Sequence, residues 1–261
     1  MVIPRDLRED MNCLYVFTGV LKQMKIRHIS SRGCHTKEFL RRFILENTEV
    51  VRGQSLTPEI CLRLFTPKCR FWTEKPEMWP FNDPFWAIYW PGGQAISRYL
   101  MDNPDVCRGR SVLDLGSGCG ASAIMAKRCG AEHVTANDID TVAGVVTIMN
   151  SELNKLEPPV CSADNMISSE PKPFDLILLG DMFYDETLAT TLHGWLDRCI
   201  QTHNTTVLIG DPGRAAFEGH NFHRDLHHLA QYELPQSVRE ENYGLVHSSV
   251  WSYRPRLQGK Q

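Results

Sequence analysis

The feature that most constrains this chain is the run Ser111-Val-Leu-Asp-Leu-Gly-Ser-Gly-Cys-Gly-Ala121. Apolar residues lead into a carboxylate, glycine recurs at 116, 118 and 120, and an alanine-rich stretch follows. That order predicts a buried strand, a tight turn and the start of a helix. Glycine is required where a backbone both turns sharply and lies against a ligand, because a Cβ obstructs each. The helix start beyond the turn presents unpaired N–H groups to a polar or anionic group. Such a turn suits a nucleotide-like cofactor.

The turn does not choose the cofactor by itself. Gly116-x-Gly118-x-x-Ala121 also fits a dinucleotide fingerprint with alanine in third place. Asp114, two residues before Gly116, repels a pyrophosphate but accepts a proton from an ammonium, which favours the amino-acid end of S-adenosylmethionine. Asp138 ends the next apolar run, 22 residues past Gly116, where a ribose-binding acid usually stands. The competing role for Asp138 is to cap a helix starting near Thr141.

The rest of the chain repeats the alternation of strand and helix. Helices are expected over 93–101, 141–156, 185–202 and 220–231, with strands near 160–163, 174–180 and 205–210. The near-continuous apolar run Phe174 to Gly180 reads as a strand covered on both faces. Two closing strands, 232–238 and 245–253, read as a hairpin. The fold class is therefore α/β, a mostly parallel sheet with an antiparallel strand near one edge. That hairpin argues against a dehydrogenase, as does the lack of any Tyr followed four residues later by Lys.

Composition narrows the partners. A net charge of −3 lacks the basic footprint of a nucleic-acid binder. Nine cysteines without a C-x-x-C pair form neither a zinc nor a disulfide framework and suit a reducing compartment. No apolar run is long enough for a spanning helix, so no membrane is expected. Residues 11–44 hold seven Lys or Arg against the single acid Glu38, with Leu14, Phe17, Leu21 and Met24 at helical spacing. That is the signature of a mitochondrial transit peptide, with Met11 a cleaner start than Met1; a disordered basic arm or a packed helix is the alternative. The expected organisation is an arm over 1–44, an extension over 45–104, the cofactor-binding domain over 105–255 and a tail over 256–261.

The chemistry is expected at the carboxyl ends of the strands, where open α/β sheets bind their ligands. Asp181 and Tyr184 follow the apolar strand and face the same crevice as Gly116. With a methylsulfonium donor, Asp181 would orient an acceptor amine and hold its proton, and Tyr184 would wall its alkyl stem. Asp181 as a cap for the helix near Asp185 is the alternative. Trp72, Trp79, Trp86 and Trp90 crowd a Pro-rich stretch that either lines a cleft or anchors a loop. In Asp211-Pro-Gly-Arg214 a plain turn is favoured over a role at the substrate groove. Cys119 is a small filler rather than a nucleophile. His220, His223, His227 and His228 are read as a polar helix face, and no metal site is expected.

Val112-Leu-Asp-Leu-Gly-Ser-Gly-Cys-Gly120, Asn137-Asp138, Asp181-x-x-Tyr184 and Ile88-Tyr-Trp-Pro-Gly-Gly-Gln94 together resemble the seven-β-strand protein lysine methyltransferases with a D-x-x-Y motif. The resemblance covers residues 46–253. It implies a Rossmann-like class I methyltransferase with a seven-stranded, mostly parallel sheet, a closing antiparallel hairpin and an N-terminal extension. It implies S-adenosylmethionine as donor, with Asp114, Gly116, Gly118, Gly120 and Asp138 at the cofactor and Asp181 and Tyr184 at the lysine. Trp90 and Asn165 are implied to border the cofactor. Within the family, Gly-Asp-Met-Phe-Tyr-Asp and the run from Phe81 to Gly93 point to members that act on the electron transfer flavoprotein β subunit. Those members imply a monomer in the mitochondrial matrix, with a possible cytoplasmic pool. The competing functions are methylation of a small metabolite and a non-catalytic module that keeps S-adenosylmethionine for structure.

Overall fold

The computed structural model describes residues 36–74, 84–219, 221–242 and 244–255. Most of the 1–44 arm, Trp79, Phe81, His220 and the tail lie outside them. The described chain opens with helix α1 (Lys37–Asn47), strands β1 (Glu49–Val51) and β2 (Leu62–Leu64), the single turn α2 (Arg70–Thr73) and helix α3 (Pro91–Asp102). Next come β3 (Ser111–Leu115), α4 (Ala121–Arg128), β4 (His133–Asn137), α5 (Thr141–Leu153), β5 (Val160–Ser162), β6 (Leu176–Gly180) and α6 (Glu186–His203). The chain closes through β7 (Thr206–Asp211), α7 (Ala215–Glu218), β8 (Leu226–Glu233), α8 (Gln236–Glu241) and β9 (His247–Tyr253).

Seven strands form one sheet in the order β5-β4-β3-β6-β7-β9-β8, and β9 alone runs against its neighbours. Beyond β3 the connections go outward on one side to β4 and β5, and on the other to β6 and β7. In open sheets of this kind the ligand crevice lies at that switch, outside the carboxyl ends of the strands.

The period of two along each central strand decides which face each residue covers. Val112, Leu176, Leu178 and Leu208 pack with Ile96, Leu100, Ile124 and Met125 of α3 and α4. The alternate residues Leu113, Ile177, Leu179, Val207 and Ile209 pack on the other face with Leu192, Trp195 and Leu196 of α6. A third core holds the extension. Leu40 and Ile44 of α1, with Phe65, Phe71 and Trp86, cover Val142, Val146 and Met149 of α5. The expected arm therefore ends too late: from Lys37 on it is a capped helix, Thr36 accepting from the amide of Phe39, and it shields apolar surface on α5.

Two asparagines bolt that extension to the glycine turn. Asn154 exchanges hydrogen bonds with the backbone of Cys61, at 2.9 and 2.6 Å. Asn150 accepts from the amide of Arg63 at 2.8 Å and donates to the carbonyl of Cys119 at 2.9 Å. Helix α3 starts in a tighter contact still. Its Gly92 and Gly93 lie directly on the last residues of β6 and β7: a methyl group on Gly210 would stand 2.1 Å from the Gly92 carbonyl oxygen, and one on Gly180 2.7 Å from Gly93 Cα. The Trp-Pro-Gly-Gly sequence is thus a helix start with proline at its first position and bare backbone against bare backbone.

The closing region corrects the expectation. Residues 221–231 are not a helix: a short 3-10 turn over Asn221–Asp225 leads into β8, and α8 takes up positions 236–238, which were expected to end the first closing strand. β8 is the sheet's edge and pairs with β9 alone, so most of its side chains face solvent and its sequence carries no covered-strand pattern. His227 and His228 therefore point to opposite faces, with the His228 ring edge-on to Trp251 at 4.7 Å. Among the described residues no cluster of His, Cys, Asp or Glu could hold a metal, and no helix is long and apolar enough to cross a membrane.

Two alanine substitutions test the packing. Gly210→Ala should cost about 3 kcal/mol or abolish soluble expression, because its neighbour is backbone that cannot yield. Gly194→Ala, mid-helix in α6 with nothing near the added methyl, should instead gain roughly 0.5–1 kcal/mol. Thermal melts of the two variants against the parent chain measure both.

Candidate active site

The glycine turn between β3 and α4 has the predicted form. Gly116 and Gly120 have φ of +70° and +79°, conformations that favour glycine, and a methyl group on Gly120 would meet the Thr147 hydroxyl at 2.5 Å. The amides of Gly116 and Ser117 donate to the carbonyl of Asn137 at 2.8 and 3.0 Å. Gly118 donates to Asp138 Oδ2 at 2.9 Å, while Asp138 Oδ1 accepts from the amide of Asp140 at 3.0 Å. Asp138 does not cap α5; Asp140 does, accepting from Val142 at 2.8 Å. Asp138 instead ties the turn to the end of β4.

Asp114 accepts from the amide of Ala123, in the first turn of α4, at 2.9 Å. Burial pushes its carboxyl up to about 7, and the charge of Asp138 adds to the rise. Burial also raises Asp138, and raises Asp140 to about 6. Three carboxyls thus crowd one turn where water is scarce. This donor set fits a cofactor that brings a cationic amine and ribose hydroxyls: Asp114 gains a counter-charge, and each oxygen of Asp138 keeps a lone pair for a hydroxyl. Cys119, buried in the turn, is pushed up to about 12 and is the filler its sequence predicts. Asn165 lies past the end of β5, exposed, its Oδ1 accepting from the amide of Ser168 at 3.3 Å.

On the other side of the switch stands Asp181, 6% exposed, with a left-handed φ of +56°. Its amide donates to the carbonyl of Gly210 at 2.9 Å. Its Oδ2 accepts from the amide of Gly92, at the start of α3, and its Oδ1 accepts from Arg214 Nε at 2.9 Å and from Arg214 Nη2. It does not cap α6, whose cap is Asp185 accepting from Leu188 at 2.8 Å. Tyr184 is 44% exposed on the same rim; desolvation raises its phenol, with Asp138 and Asp185 contributing.

Trp90 joins the two halves. Its indole N–H donates to the carbonyl of Phe85 at 3.0 Å, and the Arg214 guanidinium lies over its ring at 5.6 Å. Trp86 is buried in the α5-side core and anchors the loop. Sequence reasoning favoured a plain turn at Asp211 to Arg214 and gave Arg214 no partner. Asp211-Pro-Gly-Arg214 is indeed a turn, Asp211 Oδ1 accepting from the amides of Gly213 and Arg214 at 2.7 Å, but it delivers the arginine onto Asp181. An arginine three residues past the carboxyl end of a central strand was the available signal.

The comparisons with known proteins show the family. Residues 86–226 match the model of a family described as lysine methyltransferase. The chain is 64% identical over 227 residues to the electron transfer flavoprotein beta subunit lysine methyltransferase of Danio rerio, covering 87% of each. It is 56% identical over 216 residues to the protein of the same description from Homo sapiens, covering 83% of this chain and 82% of that one. A candidate S-adenosylmethionine-dependent methyltransferase of solved structure from Streptococcus mutans shares the fold at a TM-score of 0.50 and 12% identity, over 88% of this chain and 58% of that one.

The raised carboxyl of Asp114 has a stability consequence. In the unfolded chain it ionises near 4, in the folded chain near 7, so the cofactor-free protein binds the extra proton between those values and loses stability as pH rises across them. Asp114→Asn keeps an acceptor for the Ala123 amide and removes the charge. It should gain on the order of 2 kcal/mol at pH 8 and little at pH 5. Melts of the cofactor-free parent and variant at the two pH values check this; equal gains at both would contradict it.

Proposed function

Because this chain belongs to the lysine methyltransferase family, we propose that it methylates lysine side chains of the electron transfer flavoprotein β subunit. It is an S-adenosylmethionine-dependent protein-lysine N-methyltransferase. The observation that carries the acceptor is the match to relatives so described over more than four-fifths of each chain. When bound, S-adenosylmethionine supplies a methyl group on a cationic sulfur.

The residues divide the work across the crevice. Asp114, the glycine turn and Asp138 hold the donor, and Trp90 and Asn165 border it. Asp181 receives the acceptor lysine. A lysine reacts only as the neutral amine, so its proton must leave to water before the nitrogen lone pair can form the N–C bond that replaces the S–C bond of the donor. Asp181 is buried at the strand end and keeps a lone pair on Oδ2, which accepts an N–H of the amine and aims the nitrogen. Tyr184, half exposed three residues further on, walls the alkyl stem and faces the nitrogen with its ring or hydroxyl. Positioning of two reactants in one crevice supplies most of the acceleration. The basic, acid-poor stretch preceding α1 supports import into the mitochondrial matrix, where an address would have to end before the helix that shields α5.

The test is direct. The full chain is incubated with tritiated S-adenosylmethionine and a mitochondrial extract from cells lacking the enzyme, and labelled protein is identified by mass spectrometry. Label is expected on lysines of the flavoprotein β subunit. Asp181→Asn should lower turnover at least about a hundredfold while leaving cofactor affinity within twofold. Label confined to the small-molecule fraction would contradict a protein acceptor.

A further inference from the structure

We propose that Arg214 is a positioning residue for methyl transfer: clamped over Trp90, its guanidinium occupies Asp181 Oδ1 and leaves Oδ2 to the acceptor amine. The proposal rests on the reading that Asp181 receives the lysine.

Lone pairs carry the argument. A carboxylate offers about four acceptor directions. In Asp181 the two on Oδ1 are taken by Arg214 Nε and Nη2, and one on Oδ2 is taken by the amide of Gly92. One direction remains, on Oδ2. Backbone holds the same orientation: Asp181 keeps a left-handed φ that a non-glycine residue adopts at a cost, and its own amide is fixed on Gly210. Arg214 is aimed in turn by Asp211, whose Oδ1 takes both amides of the turn. The ring of Trp90 backs the guanidinium at 5.6 Å. Each partner of Arg214 is thus itself anchored to the end of a strand or the start of a helix.

Arg214 also carries the charge that two carboxylates meet. Asp211 is 1% exposed, and its Oδ2 has no hydrogen-bond partner among the described residues. Burial, then the neighbouring Asp181, push the Asp211 carboxyl up to about 7 against the lowering pull of Arg214. Among the described residues, the charged or polar groups facing this pair are Arg214 and the Gly213 and Arg214 amides from the turn, the Gly92 amide from α3, and each carboxylate toward the other. Without the guanidinium, Asp211 would keep the raising charge of Asp181 beside it and lose the lowering pull of Arg214.

Arg214→Met keeps the alkyl stem beside Trp90 and removes the charge; Arg214→Lys keeps the charge without the fork. Steady-state kinetics on the flavoprotein substrate, cofactor titration by calorimetry and the pH profile of kcat/KM are measured for both. Arg214→Met should lower kcat about a hundredfold, leave cofactor affinity within twofold and move the acidic limb of the profile to higher pH. Arg214→Lys should recover at least a tenth of the lost rate and return the limb. Adding Asp211→Asn to Arg214→Met should also return the limb, since the variant keeps the turn's acceptor and removes the second charge. A merely structural role predicts no movement of the limb in any of them.

Unchanged kcat in Arg214→Met, or a limb that stays in place, would overturn the proposal. If Arg214→Met fails to fold, Arg214→Lys alone decides, by a kcat loss without cofactor loss or its absence. Asp181→Asn separates the levels. An active Asp181→Asn would sink the lysine reading itself, whereas an inactive one beside a fully active Arg214→Met would sink only the role of Arg214.

Discussion

The contact on which the active side of this molecule depends is backbone against backbone. Gly92 and Gly93 at the start of α3 rest on Gly180 and Gly210 at the ends of β6 and β7, closer than any side chain would allow. Because the helix start lies there, its first free amide reaches the carboxylate of Asp181, and Asp181 satisfies a helix terminus that its own sequence neighbours do not supply. Residues nearly ninety positions apart thereby set one orientation. The same contact places Trp90, the residue before the helix, where its ring can back Arg214. Four glycines, none of which bears a functional group, decide where the functional groups stand.

Electrostatics then divides the crevice into unlike halves. On the β3–β4 side, Asp114, Asp138 and Asp140 are raised chiefly by burial and are met by backbone amides. On the β6–β7 side, Asp181 is held by a guanidinium whose charge also reaches Asp211. The first half is short of positive charge, which a cationic cofactor brings. The second carries its cation already, so that what it offers an incoming amine is direction rather than bulk attraction. Methyl transfer to a lysine needs both: a seat for a charged donor, and an aimed acceptor kept neutral beside it.

Much of this was legible in sequence where one physical cause acts alone. Leu176 to Leu179 is covered on both faces, so its apolar run announced a central strand, and the glycine turn announced itself through backbone conformations few other residues adopt. Asp114, Asp138, Asp181 and Tyr184 were read as candidates from their places at or just past strand ends, where the structure sets them. What failed were readings in which tertiary context outweighs local pattern. β8 pairs on one side only, so polar residues at His227, His228 and Gln231 looked helical; β1 is three half-exposed residues with no alternation at all. The charge of 11–44 hid the fact that Leu40 and Ile44 are needed to cover α5. Arg214 looked like the end of a turn because its partner lies 33 residues away in sequence. Only the register of β6 beside β7 brings them together.

The central claim is that Asp181 offers an acceptor lysine one oxygen while Arg214 holds the other. The most direct measurement is a crystal structure of the chain with S-adenosylhomocysteine and a lysine peptide of the flavoprotein β subunit. The account predicts the lysine nitrogen within hydrogen-bond distance of Asp181 Oδ2, with Arg214 still on Oδ1 and over Trp90. A lysine nitrogen seated on Oδ1 with Arg214 displaced, or one that does not approach Asp181, would contradict it.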